Sequence, residues 1–268
     1  MRRLILCSDD FAFSRGVSET IVELALDGRL NAISCMAVMP GWDADSELLR
    51  LLGPGVQLGL HLTLTGEKPL TDLSALVDAD GRLPGINRLQ RLARLGKVPL
   101  DAVAGEVAAQ FDRFEAALGR VPDFVDGHQH AHLLPGIRAR VLAETARRAP
   151  KAWLRDCTDS PQGIAARPYR WKAVGSALHS AGLAKAAARH GLSLNAGFAG
   201  HYSFSGDYAR LFPAFLRAPG KTHLVMCHPG AGKVAGDEIA AARIVEAKAL
   251  KRLAVRDMAA DHGLVFSA

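Results

Sequence analysis

The sequence has few of the features that mark secreted, disulfide-stabilised or membrane-spanning proteins. Its four cysteines lie far apart and include no CxxC pair, so neither a disulfide framework nor a cysteine-rich zinc site is expected. No apolar run approaches the ~20 residues needed to cross a bilayer. The first apolar run, residues 4–7, stops at Asp9 before a signal-peptide core can form. We therefore expect a cytoplasmic protein with reduced, buried thiols.

Long runs of like charge are also missing. The formal net charge is +6, from 33 Lys plus Arg against 27 Asp plus Glu. The basic residues occur only as short pairs such as Arg2-Arg3 and Arg147-Arg148. This scattering favours a solvated surface with modest attraction for anions, and it does not support a nucleic-acid partner.

Short apolar runs alternate with longer amphipathic segments along the whole chain, a pattern typical of repeated βα units. The 268 residues, 49% of them apolar, suit one α/β domain with a large core. We predict a single domain over residues 1–268 that forms a (β/α) barrel, possibly irregular or incomplete. The predicted strands are residues 4–8, 32–38, 56–62, 124–126, 152–154, 192–195, 223–227 and 264–266.

Helices are expected between these strands. Ser14 is a candidate N-cap for a helix that ends at Leu26, and a long helix is expected to open at Pro99-Leu100 and to end before Gly119. Residues 173–190 are alanine-rich and predict one surface or interface helix, through which a homodimer could form. The segments 65–84 and 156–168 are predicted to be irregular loops that contact substrate.

Polar residues of interest stand at the carboxyl ends of the predicted strands, where α/β barrels place their active sites. They are the pair Asp9-Asp10, His61, the pair Asp126 and His128, and His228. Adjacent carboxylates repel one another unless a cation or a shared proton compensates. Imidazole and carboxylate groups together suit zinc and similar divalent metals. The sequence therefore predicts a metal-dependent centre.

Three of the ten histidines lie within five residues, at His128, His130 and His132. In an extended strand the three side chains would share one face. Because Pro135 and a predicted helix follow closely, His130 and His132 are expected in the loop after the strand, where they could contact substrate or orient the ligands.

Four blocks of sequence resemble the YdjC-like carbohydrate deacetylases, a family that includes chitooligosaccharide deacetylases and hopanoid-biosynthesis-associated members. The blocks are SDDFAFSRGV at 8–17, GLHLTLTG at 59–66, VDGHQHAHLLP at 125–135 and MCHPG at 226–230. They stand in order and span most of the chain. The chain departs from the family at Ala12, where glycine usually follows the Asp-Asp-Phe triplet.

The resemblance implies roles for individual residues. Asp10, His61 and His128 match the positions that bind one divalent metal ion, Mg²⁺ or Zn²⁺. Asp9 would then be the base that takes a proton from water, although both aspartates could instead share the metal. Arg155 is similar to an arginine at the corresponding strand end and is expected to bind substrate.

The expected reaction is hydrolysis of the N-acetyl group of an amino sugar, in an oligosaccharide or a glycolipid precursor, by metal-activated water. His228 is the candidate general acid, because imidazole titrates near neutral pH. The alternatives are another metal-dependent amidohydrolase or phosphoesterase, since Asp and His ligands serve both chemistries, and a carbohydrate-binding protein without turnover.

Overall fold

The structure is a computed structural model that describes residues 1–232, 234 and 236–267. Within these ranges its strands are β1 Arg2–Phe11, β2 Ala32–Cys35, β3 Gln57–Leu62, β4 Phe124–Gly127, β5 Trp153–Leu154, β6 Ser193–Leu194, β7 Phe198–Ala199, β8 Thr222–Cys227 and β9 Leu264–Val265. The helices are α1 Arg15–Leu26, α2 Trp42–Ser46, α3 Ile86–Arg94, α4 Leu100–Leu118, α5 Ile137–Arg148, α6 Pro161–Ala166, α7 Arg170–His179, α8 Leu183–Arg189, α9 Tyr208–Phe215, α10 Ala240–Arg252 and α11 Val255–Asp261.

The strands form one parallel sheet in the order β6-β5-β4-β3-β2-β1-β8-β7, and β9 also pairs with β1. The two outermost strands, β6 and β7, are joined by residues 195–197 alone. Four steps along the chain span at most ~14 Å, so the two edges of the sheet must lie close together. The sheet is therefore curled, and among the described residues no strand pairing closes it. This confirms the predicted α/β architecture as an incomplete barrel.

Buried parallel strands explain the nearly continuous apolar runs in the sequence. In β1 every residue from Leu4 to Phe11 is buried. The helix boundaries follow local signals. The Ser14 hydroxyl accepts from the backbone N–H of Val17 at 3.3 Å, and α4 ends at Gly119 in a left-handed conformation, with a φ of 65°. The four cysteines are free and buried, as predicted.

Three predictions of local structure were wrong. The segment 173–190 belongs to two helices rather than one, because α7 ends at His179 and the chain turns at Gly182, with a φ of 79°, before α8 begins. The segment 156–168 contains the short helix α6. Strand β7 was missed because its two residues stand between Gly197 and Gly200 and give no apolar run. Within the described ranges, no helix is both long enough and apolar enough to span a membrane.

Candidate metal centre and cavity

The carboxyl ends of β1, β3, β4 and β8 meet at a cavity of about 1020 Å³. Parallel pairing brings the polar residues of these strand ends together, and His61 of β3 lies directly beside Asp126 of β4. The predicted residues that line the cavity are Asp9, Asp10, His61, His128, His130 and His228. Buried and half-buried side chains from the ends of four strands thus converge on one opening.

Asp10, His61 and His128 form a compact group whose candidate ligand atoms all lie within 4.8 Å of one another. Asp10 Oδ1 lies 3.3 Å from His61 Nε2 and 3.0 Å from His128 Nδ1. One oxygen and two imidazole nitrogens therefore point at a common position. Such a set suits a divalent metal ion that keeps further positions open.

Asp126 fixes the orientation of His61. Its Oδ1 accepts from His61 Nδ1 at 2.7 Å and from the Ser34 hydroxyl at 2.5 Å. His61 Nε2 is thereby left to face Asp10. This is the carboxylate–histidine arrangement that accompanies metal ligands, in which the second ring nitrogen is held by a carboxylate. The sequence placed Asp126 at this edge of the sheet but assigned it no role.

The local charges determine the protonation states of His61 and Asp126. Burial alone would lower the pKa of His61, but the carboxylates of Asp126 and Asp10 outweigh burial and raise this pKa to about 10. Burial raises the pKa of Asp126, but Arg155 and His61 outweigh it and lower this pKa to about 2. Without another cation, His61 therefore carries a proton that balances the carboxylates.

The second oxygen of Asp10 is held by Arg243 of α10, whose Nη2 donates to Oδ2 at 2.8 Å. Arg243 Nε also donates to Asp237 at 2.9 Å. Burial raises the pKa of Asp10, but Arg243 and His128 outweigh it and hold this pKa well below its usual range. Asp10 is thus ionised and presents Oδ1 to the two histidines. Nothing in the sequence marked Arg243, which lies in an alanine-rich helix.

Asp9 is held by Arg155. Nη1 and Nη2 of this arginine each donate to one oxygen of Asp9 at 2.6 Å, and Arg155 also forms an ion pair with Asp126. Arg155 is 0% exposed and is not among the residues that line the cavity, so the structure places it behind the wall where a substrate contact was predicted. The arginine instead orients two carboxylates from below the cavity.

The histidine-rich run does not continue as a strand. Gln129 and His130 have φ values of 52° and 59°, which turn the chain sharply after β4. The three histidines therefore point in different directions. His132, for which a substrate contact was predicted, is fully buried and donates from Nε2 to the Arg155 carbonyl at 3.0 Å, and it is not among the residues that line the cavity.

His130 does line the cavity, as the predicted substrate contact requires. Its ring lies edge-on to those of His201 and Phe198, with centroids 5.7 Å away in both cases. Burial, together with the positive neighbours, lowers the pKa of His130 well below its usual range. A neutral imidazole therefore stands in the cavity wall.

His228 also faces the cavity, with Nε2 3.8 Å from Asp9 Oδ2. Burial lowers its pKa, and Asp10 and Asp9 offset part of that effect. Its backbone N–H donates to Glu246 of α10 at 2.5 Å, and the same carboxylate accepts from the Tyr202 hydroxyl at 2.5 Å. Glu246 was not predicted as a site residue. Burial raises the pKa of Glu246 to about 7, although both hydrogen bonds lower it.

When His61 is neutral, as a metal ligand must be, the centre carries an excess of negative charge that a bound cation would balance. Among the described residues, the buried carboxylates of Asp9, Asp10 and Asp126 then face two buried arginines, Arg155 and Arg243. Uncompensated buried charge is costly. Charge, donor types and the orientation of His61 therefore all fit a divalent metal ion at the group formed by Asp10 and the two histidines.

Comparison with known proteins places these residues in a family. A family model described as YdjC-like protein matches residues 3–261. A chitooligosaccharide deacetylase of Yersinia enterocolitica is 37% identical over 134 residues, which cover 50% of this chain and 52% of that protein. Its counterpart in Yersinia pestis is 34% identical over 140 residues, which cover 52% of this chain and 54% of that protein. The matched region thus spans about half the length of these curated relatives.

A crystal structure of a candidate cellobiose-phosphate cleavage protein from Enterococcus faecalis shares the fold, with a TM-score of 0.73 and 20% identity over 99% of this chain and 97% of that one. Since the family model covers nearly all of the chain, this protein belongs to the YdjC-like family.

Proposed function

We propose that this chain is a metal-dependent deacetylase that removes the N-acetyl group from an amino sugar in an oligosaccharide or a glycolipid precursor. The observation that carries the proposal is the group formed by Asp10, His61 and His128, which faces the same cavity as Asp9 and His228. The names of the curated relatives support the substrate class.

Asp10, His61 and His128 would hold the ion, either Mg²⁺ or Zn²⁺. A divalent metal there would lower the pKa of a bound water and polarise the amide carbonyl. Arg243 and Asp126 keep the ligand atoms in place from behind, through Asp10 Oδ2 and His61 Nδ1. The protein's own contribution is thus a fixed ligand set that is already ionised or correctly oriented.

The proton transfers fall to Asp9 and His228. Arg155 fixes the Asp9 carboxylate, which is the proton acceptor for the attacking water. His228 Nε2 lies 3.8 Å from Asp9 Oδ2, so both groups reach the same reacting bond. Because its lowered pKa leaves His228 neutral at rest, it receives the proton that Asp9 has taken from water and then donates that proton to the leaving amine.

The cavity suits a sugar with more than one unit. Its volume of about 1020 Å³ lies at the upper end of small-molecule sites. The half-buried ring of Phe204 forms part of one wall beside His228. Aromatic faces of this kind bury the apolar face of a sugar ring while polar neighbours meet its hydroxyls.

A two-metal phosphoesterase fits less well. A second group of candidate ligands comprises Cys7, Asp9 and Asp126. The guanidinium of Arg155 already lies among these three side chains, 2.6 Å from Asp9 and 3.2 Å from Cys7 Sγ. Two-metal sites need the ions roughly 4 Å apart, and here a fixed positive charge stands where a second ion would bind.

The test is acetate release from N-acetylglucosamine oligomers and N-acetylglucosaminyl lipids, beside phosphate release from sugar phosphates. We expect acetate only, and loss of ~100-fold or more of kcat in His228→Asn with KM little changed. His190→Ala, at an exposed position, is the matched control. Phosphate release, or turnover of no substrate by a metal-loaded protein, would overturn the proposal.

A further inference from the structure

Helix α7 presents an apolar stripe to solvent. Trp171 is 77% exposed and Leu178 is 72% exposed. They lie seven residues apart, so they share one face of the helix, with half-buried Val174 between them. Apart from Met1, they are the two most exposed large apolar side chains in the part of the chain that the structure describes. Two such side chains on one helix face are unusual for a surface that meets only water.

The segment of chain that carries the stripe has positive charge alone. Residues 161–206 include five Lys and Arg but no Asp or Glu. One of the five, Arg167, is buried against Asp159. The other four are exposed and, within the described ranges, have no carboxylate within 4.0 Å; they are Arg170, Lys172, Lys185 and Arg189. A fifth cation, Arg138 of α5, donates to the Ala181 carbonyl at 2.8 Å.

We define the α7 face as Trp171, Val174 and Leu178 together with the exposed cations just named. An exposed tryptophan and leucine flanked by Lys and Arg suit the interface of an anionic bilayer, where the apolar side chains insert and the cations meet the headgroups. A symmetric dimer through the same face would instead set these cations against themselves. Charge therefore favours a lipid surface over a second copy.

The α7 face is attached directly to the cavity wall. Lys172 Nζ donates to the Tyr202 carbonyl at 2.7 Å, and Ser176 Oγ lies 2.8 Å from His201 Nε2. Lys172, His201 and Tyr202 all line the cavity. A lipid surface that contacts α7 would therefore lie beside one side of the cavity mouth.

We propose that the α7 face is a docking surface for an anionic lipid membrane, which brings the cavity mouth to substrate held at that membrane. That the substrate is held at the membrane rests on the proposed function, whereas the docking of the α7 face does not. Binding is expected to weaken with ionic strength, since the headgroup attraction is screened.

The chain contains its own probe for this contact. Of its three tryptophans, Trp42 is 0% exposed and Trp153 is 8% exposed. A change in tryptophan fluorescence on membrane contact therefore reports on Trp171. The experiment titrates the full chain with phosphatidylglycerol vesicles, with pure phosphatidylcholine vesicles in parallel, and follows emission and co-sedimentation.

We expect a blue shift and co-sedimentation with the anionic vesicles alone. The pair Lys185→Glu with Arg189→Glu should lower the partition coefficient by about tenfold or more. Leu178→Ser should also weaken binding, while Leu51→Ser, which changes an exposed leucine outside α7, should not. Acetate release from a short oligomer should be unchanged in Leu178→Ser.

Three results would overturn the proposal. They are no blue shift with anionic vesicles, equal binding to phosphatidylcholine, or unchanged binding in both Leu178→Ser and the pair Lys185→Glu with Arg189→Glu. A concentration-dependent dimer that Leu178→Ser dissociates, without vesicle binding, would assign the α7 face to a second copy and also overturn it. Vesicle binding by a chain that releases no acetate would keep the docking surface and refute the proposed deacetylase.

Discussion

At the scale of single residues, Asp126 acts on the metal position through His61. Its carboxylate holds His61 Nδ1 at 2.7 Å and thereby aims Nε2 at the metal position. In Asp126→Asn we expect metal affinity to fall about 10–100-fold, because outer-shell carboxylates typically contribute that much. Competition with a chromogenic zinc chelator measures the change.

Asp112→Asn provides the control, since Asp112 is an exposed aspartate of α4 paired with Arg148. The metal affinity of Asp112→Asn should match that of the unsubstituted protein. If Asp126→Asn keeps full affinity while remaining folded, the orienting role of Asp126 is wrong.

The raised pKa of His61 leads to a second prediction. A metal ligand must be neutral, but in the metal-free protein His61 stays protonated up to a pKa of about 10. Metal binding at pH 7 should therefore release about one proton, and affinity should rise with pH toward 10. Calorimetry in two buffers of different ionisation enthalpy measures the released proton. Binding without proton release would contradict the account.

The same shift affects the stability of the metal-free protein. Because the folded pKa lies above the ordinary histidine value of 6.5, protonated His61 stabilises the fold fully below pH 6.5. This contribution is lost as the pH rises through about 10. Bound metal should remove this dependence, since the imidazole is then neutral throughout.

At the scale of elements, the end of β1 combines the metal ligand with an unusual backbone. Asp10 and Ala12 have φ values of 65° and 74°, a region that non-glycine residues avoid at a cost of about 1 kcal/mol or more. The family's usual glycine would relieve this strain at residue 12. Position 12 thus supports the site through the backbone and not through its side chain.

Ala12→Gly should therefore change the free energy of unfolding by less than about 1 kcal/mol or raise it, because relief of strain offsets the added entropy of the unfolded chain. Ala247→Gly, at a buried alanine of α10, should lower it by about 1 kcal/mol. Urea denaturation compares the two variants. Equal destabilisation would show that residue 12 is not strained.

Elements also mark how far the sequence could predict the structure. Apolar runs located most strands, and strand ends located Asp9, Asp10, His61, His128 and His228, because parallel strands share one carboxyl edge. The directions of His132 and Arg155 could not be predicted. The direction of His132 depends on the left-handed turn at Gln129 and His130, for which the residue types give no signal. The direction of Arg155 follows from its ion pairs with Asp9 and Asp126, which are distant in sequence.

At the scale of the whole molecule, the site depends on contacts between distant parts of the chain. Arg243 reaches Asp10 across 233 positions of sequence, and Glu246 of the same helix supports His228. Such partners follow from how α10 packs against the curled sheet, and periodicity in the sequence cannot reveal them. The surface cations likewise gather only after folding, when α5 meets α8.

The central claim is that one ion at Asp10, His61 and His128 is required for hydrolysis of an N-acetyl group. The most direct measurement adds Zn²⁺ or Mg²⁺ in known equivalents to chelated protein and follows acetate release from an N-acetylglucosamine oligomer, with His128→Ala in parallel. The account predicts no release at zero metal, a rise that saturates at about one equivalent per chain, and no release from the variant. Full release by the chelated protein, or by His128→Ala, would contradict it.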